Sequence, residues 1–269
     1  MNDAIFLNLT DNQIVLFADI LGFSNAVRKN EEVSMQDRGK LIVNFPRIYD
    51  IFVDGYTKEC QDSMGIKFLW VSDSIIVSAP IENANALFNV LVDITNTLYC
   101  SGLSLRGAII VGKLYHQNNV WGPALIEAVE NEKSIVKYPR ILLKESHMQQ
   151  LKLEQDYSDF FEPSDVSGYI QFDYFNCYFA KLISEDKDII STLSVYSQFI
   201  KKSFEEAERS EHKEKHAWLA TELLRVVRKN GAYIDSYLAS HEKWSTITGG
   251  AKRLENHTPF IDFLSKITF

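Results

Sequence analysis

Short apolar, β-prone runs alternate with helical repeats over the first two thirds of the chain, and helical repeats fill most of the last third. Residues 13–19 (QIVLFAD) form a short β-prone run, followed by a glycine-containing turn and a polar stretch compatible with a helix. Residues 40–56 carry Leu41, Ile42, Phe45, Ile48, Ile51 and Phe52 at near-helical spacing, with Pro46 as a kink or boundary. Residues 65–70 (GIKFLW) and 74–78 (SIIVS) are two strands joined across Val71-Ser72-Asp73, the spacing of a tight hairpin or a bent strand with Asp73 at its tip. Helical periodicity over 83–101 is followed by a strand at 105–114, a helix at 123–133 and a strand at 140–143. This order predicts an α+β fold whose mixed sheet is backed by helices.

Alternating aromatic residues at 167–175 (SGYIQFDYF) predict an edge strand, and from residue 186 the pattern becomes helical and strongly charged, with helices at 189–207 and 214–229. No Gly, Ser or Pro linker intervenes, which predicts a sheet-containing domain over 1–180 and a helical extension over 181–269 packed on it.

Composition narrows the function classes. A formal net charge of -8 argues against a sequence-independent nucleic-acid surface, which needs clustered Lys and Arg. No apolar run reaches the roughly 18 residues of a membrane helix, and residues 1–10 lack the basic flank and cleavage site of a signal peptide, so a cytoplasmic protein is expected. Cys60, Cys100 and Cys177 are too scattered for a disulfide framework or a zinc site.

Two carboxylates stand out, Asp19 closing the strand at LFAD and Asp73 within WVSDSIIV, each where a strand ends in a turn. If their strands neighbour one another, both carboxylates reach one point. Such a pair suits divalent cations, since magnesium takes oxygen ligands from one or two carboxylates plus substrate phosphates. The turn over 20–24 opens a helix, where backbone N–H groups bind phosphate. The same spacing equally fits Asp19 as a helix cap and Asp73 as a hairpin residue.

FADILGFS, SDSIIVS, LRGAIIVGKLY and NNVWGPALIEAVE, in this order, resemble four blocks of the class III adenylate and guanylate cyclases, spanning about residues 14–143. The resemblance implies a ferredoxin-like core with a mainly antiparallel sheet, two Mg²⁺ or Mn²⁺ ions per site, and a nucleoside triphosphate substrate. Asp19 and Asp73 would be the metal carboxylates, Ile20 would offer a carbonyl to one ion, and Gly22, Phe23 and Ser24 would cradle phosphates. The family pairs two protomers head to tail, so a homodimer with active sites at its interface is implied. Ile126 and Glu130 stand where the family carries an Asn and a transition-state Arg. Either another cation takes that role, with Arg106, Lys113 and Arg140 as candidates, or the chain is an inactive nucleotide-binding regulator.

The run WGPALIEAVENEKSIVKYPRI and the later GYIQFDYF are similar to divergent bacterial antiphage cyclases that make cyclic CMP or cyclic UMP. That resemblance implies UTP or CTP as substrate and a cyclic-nucleotide-responsive effector protein encoded elsewhere. Leu69 and Asn119 occupy the positions where adenylate cyclases read adenine with Lys and Asp. Tyr49 and Arg47 are further candidates for the base. Glu127 fits either an inward carboxylate or an exposed helix residue. His116 fits a solvated loop residue better than a general base, and His212 with His216, at i and i+4, fits a solvated helix better than a metal pair. A third reading is a structural interaction module docking through the charged C-terminal helices.

Overall fold

A strand can be apolar on both faces only where both are covered, and the first strand of this chain is the central example. The structure, a computed structural model, describes residues 12–31, 63–151, 153, 160–185, 189–234 and 236. In chain order its elements are β1 (Asn12–Leu21), α1 (Phe23–Glu31), β2 (Lys67–Val71), β3 (Ser74–Pro80), α2 (Ala84–Cys100), β4 (Ser104–Lys113), β5 (Tyr115–His116), β6 (Val120–Trp121), α3 (Pro123–Ser134), β7 (Ile141–Lys144), α4 (Glu145–Met148), β8 (Phe161–Pro163), β9 (Tyr169–Phe172), α5 (Tyr174–Ser184), α6 (Ile189–Glu206) and α7 (Ser210–Lys229). The helix expected over 40–56 lies outside the described residues.

Among the described residues seven strands make one sheet in the order β2-β3-β1-β4-β7-β9-β8, and β5 and β6 form a separate hairpin. Every pairing in the sheet is antiparallel except that of β4 with β7. The four-strand segment β2-β3-β1-β4, with its split β-α-β connection, is the ferredoxin-like arrangement. The mixed, mainly antiparallel α+β architecture read from the sequence is the one observed.

Side chains of β1 alternate between two layers. Val15 packs with Ile110, Leu114, Ala124 and Ala128, and Phe17 joins that cluster, so α3 covers this face. Ile14, Leu16, Ala18 and Ile20 point to the other layer, where α2 packs on β3 and β4 through a stripe that includes Leu87, Leu91, Ile94 and Leu98. β4 and β1 approach unusually closely at Gly107, where a Cβ would lie 2.6 Å from the Phe17 carbonyl oxygen and 2.7 Å from Ala18 Cβ.

Three expectations are corrected. Asp19 does not close its strand, because β1 runs on to Leu21 and Asp19 stays within the ladder. The strand expected over 167–175 is only Tyr169–Phe172; it is not the edge, since β8 pairs outside it. Phe172 of this strand buries against Phe88, whose ring lies 5.5 Å away and also meets Phe161 of β8 at 5.0 Å. Tyr174 onward is helical, a segment whose apolar residues the strand pattern had absorbed.

The chain divides into two compact units, 1–174 and 175–269. The second contains the antiparallel pair α6 and α7, whose buried faces include Leu193, Tyr196 and Ile200 on one helix and Leu219, Ala220 and Leu223 on the other. His216 is half-buried: its ring meets Phe199 edge to face at 6.3 Å, and burial, with His212 and Lys215 adding to it, lowers its pKa to about 4.

Candidate active site

The sheet register brings the chemistry-bearing residues into one row. Asp19 on β1 lies opposite Ser74 on β3 and opposite Arg106 on β4, so all three side chains share the face that α3 covers. Asp73 sits in the two-residue turn between β2 and β3, which Ser72 enters with a positive φ of 57°. The Ile20 N–H donates to the Asp73 carbonyl oxygen at 2.6 Å and ties that turn to β1. Asp19, Ile20 and Asp73 are thus brought together, the side chains of Asp19 and Asp73 half-buried and that of Ile20 buried in the opposite layer.

Beyond this row the chain leaves β1 through Gly22, whose φ of 89° favours glycine, and enters α1 at Phe23. The Gly22 carbonyl accepts the Ala26 N–H at 3.0 Å, the first bond of the helix. Backbone N–H groups of a first helical turn lack intrahelical acceptors, so Gly22, Phe23 and Ser24 stand where an anion is favoured.

Of the three cations considered, only Arg106 belongs to this row. Its Nη2 lies 3.4 Å from Asp19 Oδ2 and also contacts the Glu132 carboxylate on α3. Arg140 is committed elsewhere: its buried guanidinium lies 2.5 Å from Asp165 and 3.4 Å from Gln171. Lys113 pairs with Asn12 at the opposite end of β1, seven residues from Arg106 along the same strand. At about 3.3 Å per residue that distance exceeds the reach of a side chain.

The base-reading candidates occupy a second region of the same face. Leu69 on β2 pairs with Ile76, which pairs with Phe17, so Leu69 lies one row in from Asp19 on that face. Asn119 is exposed in the β5–β6 hairpin, where its carbonyl accepts the Gln117 N–H at 3.0 Å. Lys67, two residues before Leu69, donates to the His116 carbonyl at 2.5 Å, and His116 Nδ1 lies 2.7 Å from Ser78 Oγ. These bonds tether Asn119's hairpin to Leu69's strand. Tyr49 and Arg47 lie outside the described residues.

His116 corrects the sequence reading, being 6% exposed within β5 rather than a solvated loop residue. Burial, with Lys67 adding to it, lowers its pKa to about 4. Glu127, half-exposed on α3, pairs with Lys144 at 3.1 Å and takes no part in the Asp19 row. Ile126 is 61% exposed, and Trp121, stacked on Tyr115 at 5.2 Å, is 40% exposed.

Sequence reasoning missed Glu132. It lies four residues after Ala128 and eight after Ala124, on the buried face of α3, and is itself 2% exposed. A charged residue continuing a buried alanine row needs a partner of opposite charge, and that periodicity was the available signal. Burial raises the Glu132 carboxyl above its ordinary range, while the Arg106 guanidinium opposes that shift.

Among the described residues no group of three or more His, Cys, Asp and Glu side chains gathers as a metal cluster. Two carboxylates and a backbone carbonyl form an all-oxygen set, which suits Mg²⁺ or Mn²⁺ completed by substrate phosphates and not zinc.

The sequence matches no established family profile and no curated protein. Among solved structures the chain is similar to a bacterial light-regulated adenylyl cyclase, in two structures at 13% and 15% identity, with a TM-score of 0.36 over 60% of this chain. The overlap spans half the length of those cyclases. It is also similar to an adenylate/guanylate cyclase/hydrolase from Silicibacter pomeroyi, at 15% identity and a TM-score of 0.35 over 60% of this chain and 93% of that one. No helix among the described residues is long and apolar enough to cross a membrane.

Proposed function

We propose that the chain is a nucleotidyl cyclase that converts a nucleoside triphosphate, UTP or CTP, into a 3′,5′-cyclic nucleotide and pyrophosphate. One observation carries this reading: the Ile20–Asp73 backbone bond gathers Asp19 and Asp73 at the mouth of a helix-opening turn, within a ferredoxin-like sheet. Asp19, Asp73 and the Ile20 carbonyl would hold two divalent cations, which would acidify the attacking hydroxyl and offset charge on the leaving group. Gly22, Phe23 and Ser24 hold phosphate oxygens through the first turn of α1. The ribose 3′-oxygen bonds to the α-phosphorus as the bond to the β-phosphate's bridging oxygen breaks; the hydroxyl proton passes to solvent and pyrophosphate leaves. Arg106 is the cation beside Asp19.

Leu69 cannot hydrogen-bond a purine ring, and leaving buried polar edges unpaired costs roughly 1–3 kcal/mol. Asn119 both donates and accepts, which suits the amide edge of uracil or the amino edge of cytosine. Two copies pair so that the metal residues of one chain meet Leu69 and Asn119 of the other, the head-to-tail arrangement of the cyclases the chain resembles. By its resemblance to antiphage cyclases, the product would signal phage infection to a separate effector. Ile126 and Glu130, in place of Asn and Arg, favour a second reading, a nucleotide-binding regulator without turnover.

Incubation with each of the four triphosphates and Mn²⁺, with products identified by mass, separates these readings. Cyclic UMP or cyclic CMP is expected from the native chain and not from folded Asp19→Asn or Asp73→Asn. Cyclic AMP or cyclic GMP as the dominant product overturns the pyrimidine assignment, and binding without any cyclic product favours the regulator.

A further inference from the structure

The position of Arg106 raises a difficulty for the proposed site, since a guanidinium 3.4 Å from Asp19 opposes a cation on the same carboxylate. Glu132 supplies the answer. Its buried carboxylate meets the same Nη2 from the α3 side, so one guanidinium lies between two carboxylates. Arg106 Nε is buried with no hydrogen-bond partner in the structure, so its contacts are concentrated at the Nη2 end. Helix α3 is fixed above this row by Ala124 and Ala128 against Val15 and Ile110, which prevents Glu132 from following the guanidinium elsewhere.

We propose that Glu132 is a positioning residue of this site: it holds Arg106 and cancels its charge, leaving Asp19 both oriented and available to a divalent cation. The inference rests on the cyclase reading for the identity of the cation, while its own test is metal binding without nucleotide. A carboxylate that merely satisfied Arg106 for folding would shift stability and leave the metal affinity of the folded protein unchanged.

The experiment titrates Mn²⁺ into the full chain without nucleotide, following the free ion by electron paramagnetic resonance. The native chain is compared with Glu132→Gln, Arg106→Gln and the double variant, each checked for folding by thermal melting. Glu132→Gln is expected to bind Mn²⁺ on the order of tenfold more weakly, the effect of one unit charge lost a few ångströms from the ion at a protein surface. Arg106→Gln binds more tightly, and the double variant returns to near the native affinity. In the double variant kcat falls while the KM for the triphosphate holds, because Asp19 keeps its charge and loses its brace. Unchanged Mn²⁺ affinity in folded Glu132→Gln overturns the proposal. Should that variant not fold, a double variant differing tenfold from the native chain overturns it, and one matching the native chain, with Arg106→Gln tighter, supports it. Native-like charge effects on Mn²⁺ without any cyclic product refute the cyclase reading alone, and no Mn²⁺ binding by the native chain refutes both.

Discussion

His116 gives the hairpin that carries Asn119 a defined response to acid. Its imidazole is 6% exposed, accepts or donates a hydrogen bond with Ser78 at 2.7 Å, and lies beside the Lys67 ammonium that binds its carbonyl. Burial first, and Lys67 second, lower its pKa from the ordinary 6.5 to about 4. The folded state therefore binds this proton more weakly than the unfolded chain does. The stability contributed by the neutral ring is complete above about pH 6.5 and is lost as the pH falls toward about 4. Linkage across that gap amounts to about 3 kcal/mol at about 1.4 kcal/mol per pH unit. Screening near the hairpin surface lowers the expected loss to about 2 kcal/mol. Denaturant unfolding at pH 7.5 and pH 4.5 measures it, with His116→Asn as reference because an amide can still bond Ser78. The native chain should lose about 2 kcal/mol more than the variant between the two pH values. Every carboxylate and His216 titrate alike in both proteins, so the difference isolates this ring. Equal losses would refute the claim that His116 is held neutral and would remove the pH-sensitive pin between β3 and the Asn119 hairpin.

Two further outcomes test how the row is built. Gly107→Ala places a Cβ 2.6 Å from the Phe17 carbonyl, and forcing β1 from β4 should cost about 1–3 kcal/mol in thermal melting while separating Arg106 from Asp19; an unchanged melting temperature would show that the strands yield without cost. Arg140→Met removes a pair whose other member, Asp165, is largely exposed. It should lower stability by about 1–2 kcal/mol and leave any turnover per folded molecule unchanged, whereas a large loss of turnover would favour Arg140 over Arg106 as the cation of the proposed site.

Much of the core was legible because its elements announce themselves locally. The apolar run around Val15 and Leu16, the 3.6-residue rhythm of Leu87, Leu91, Ile94 and Leu98, and the Ser72-Asp73 turn each follow from propensity and period. The end of β1 was less legible, because Ile20 and Leu21 read equally as strand and turn, and the register with Arg106 extends the ladder past Asp19. The last strands failed for a similar reason. Phe161, Phe172 and Tyr174 share one aromatic composition, yet pairing between β8 and β9 makes strands of the first two and leaves Tyr174 to open a helix. Local pattern records how a residue is solvated, and register records which neighbour a strand meets.

The candidate site shows the same division in its charges. Asp19 and Asp73 were visible as a carboxylate ending an apolar run and one at a hairpin tip, but their juxtaposition depends on the bond from the Ile20 N–H to the Asp73 carbonyl, across a separation of 53 residues that no local period encodes. Arg106 was one of three interchangeable cations in the sequence; the β1–β4 register made it Asp19's neighbour, while an ion pair with Asp165 withdrew Arg140. Glu132 was hidden by its composition, since a helix ending in ENEKS looks like a solvated surface. The row Ala124, Ala128, Glu132 shows that one of those charges turns inward, and an inward carboxylate persists only where a cation meets it. The buried partner is therefore the physical reason that Arg106 can stand beside Asp19 without closing that carboxylate to the cation proposed for it.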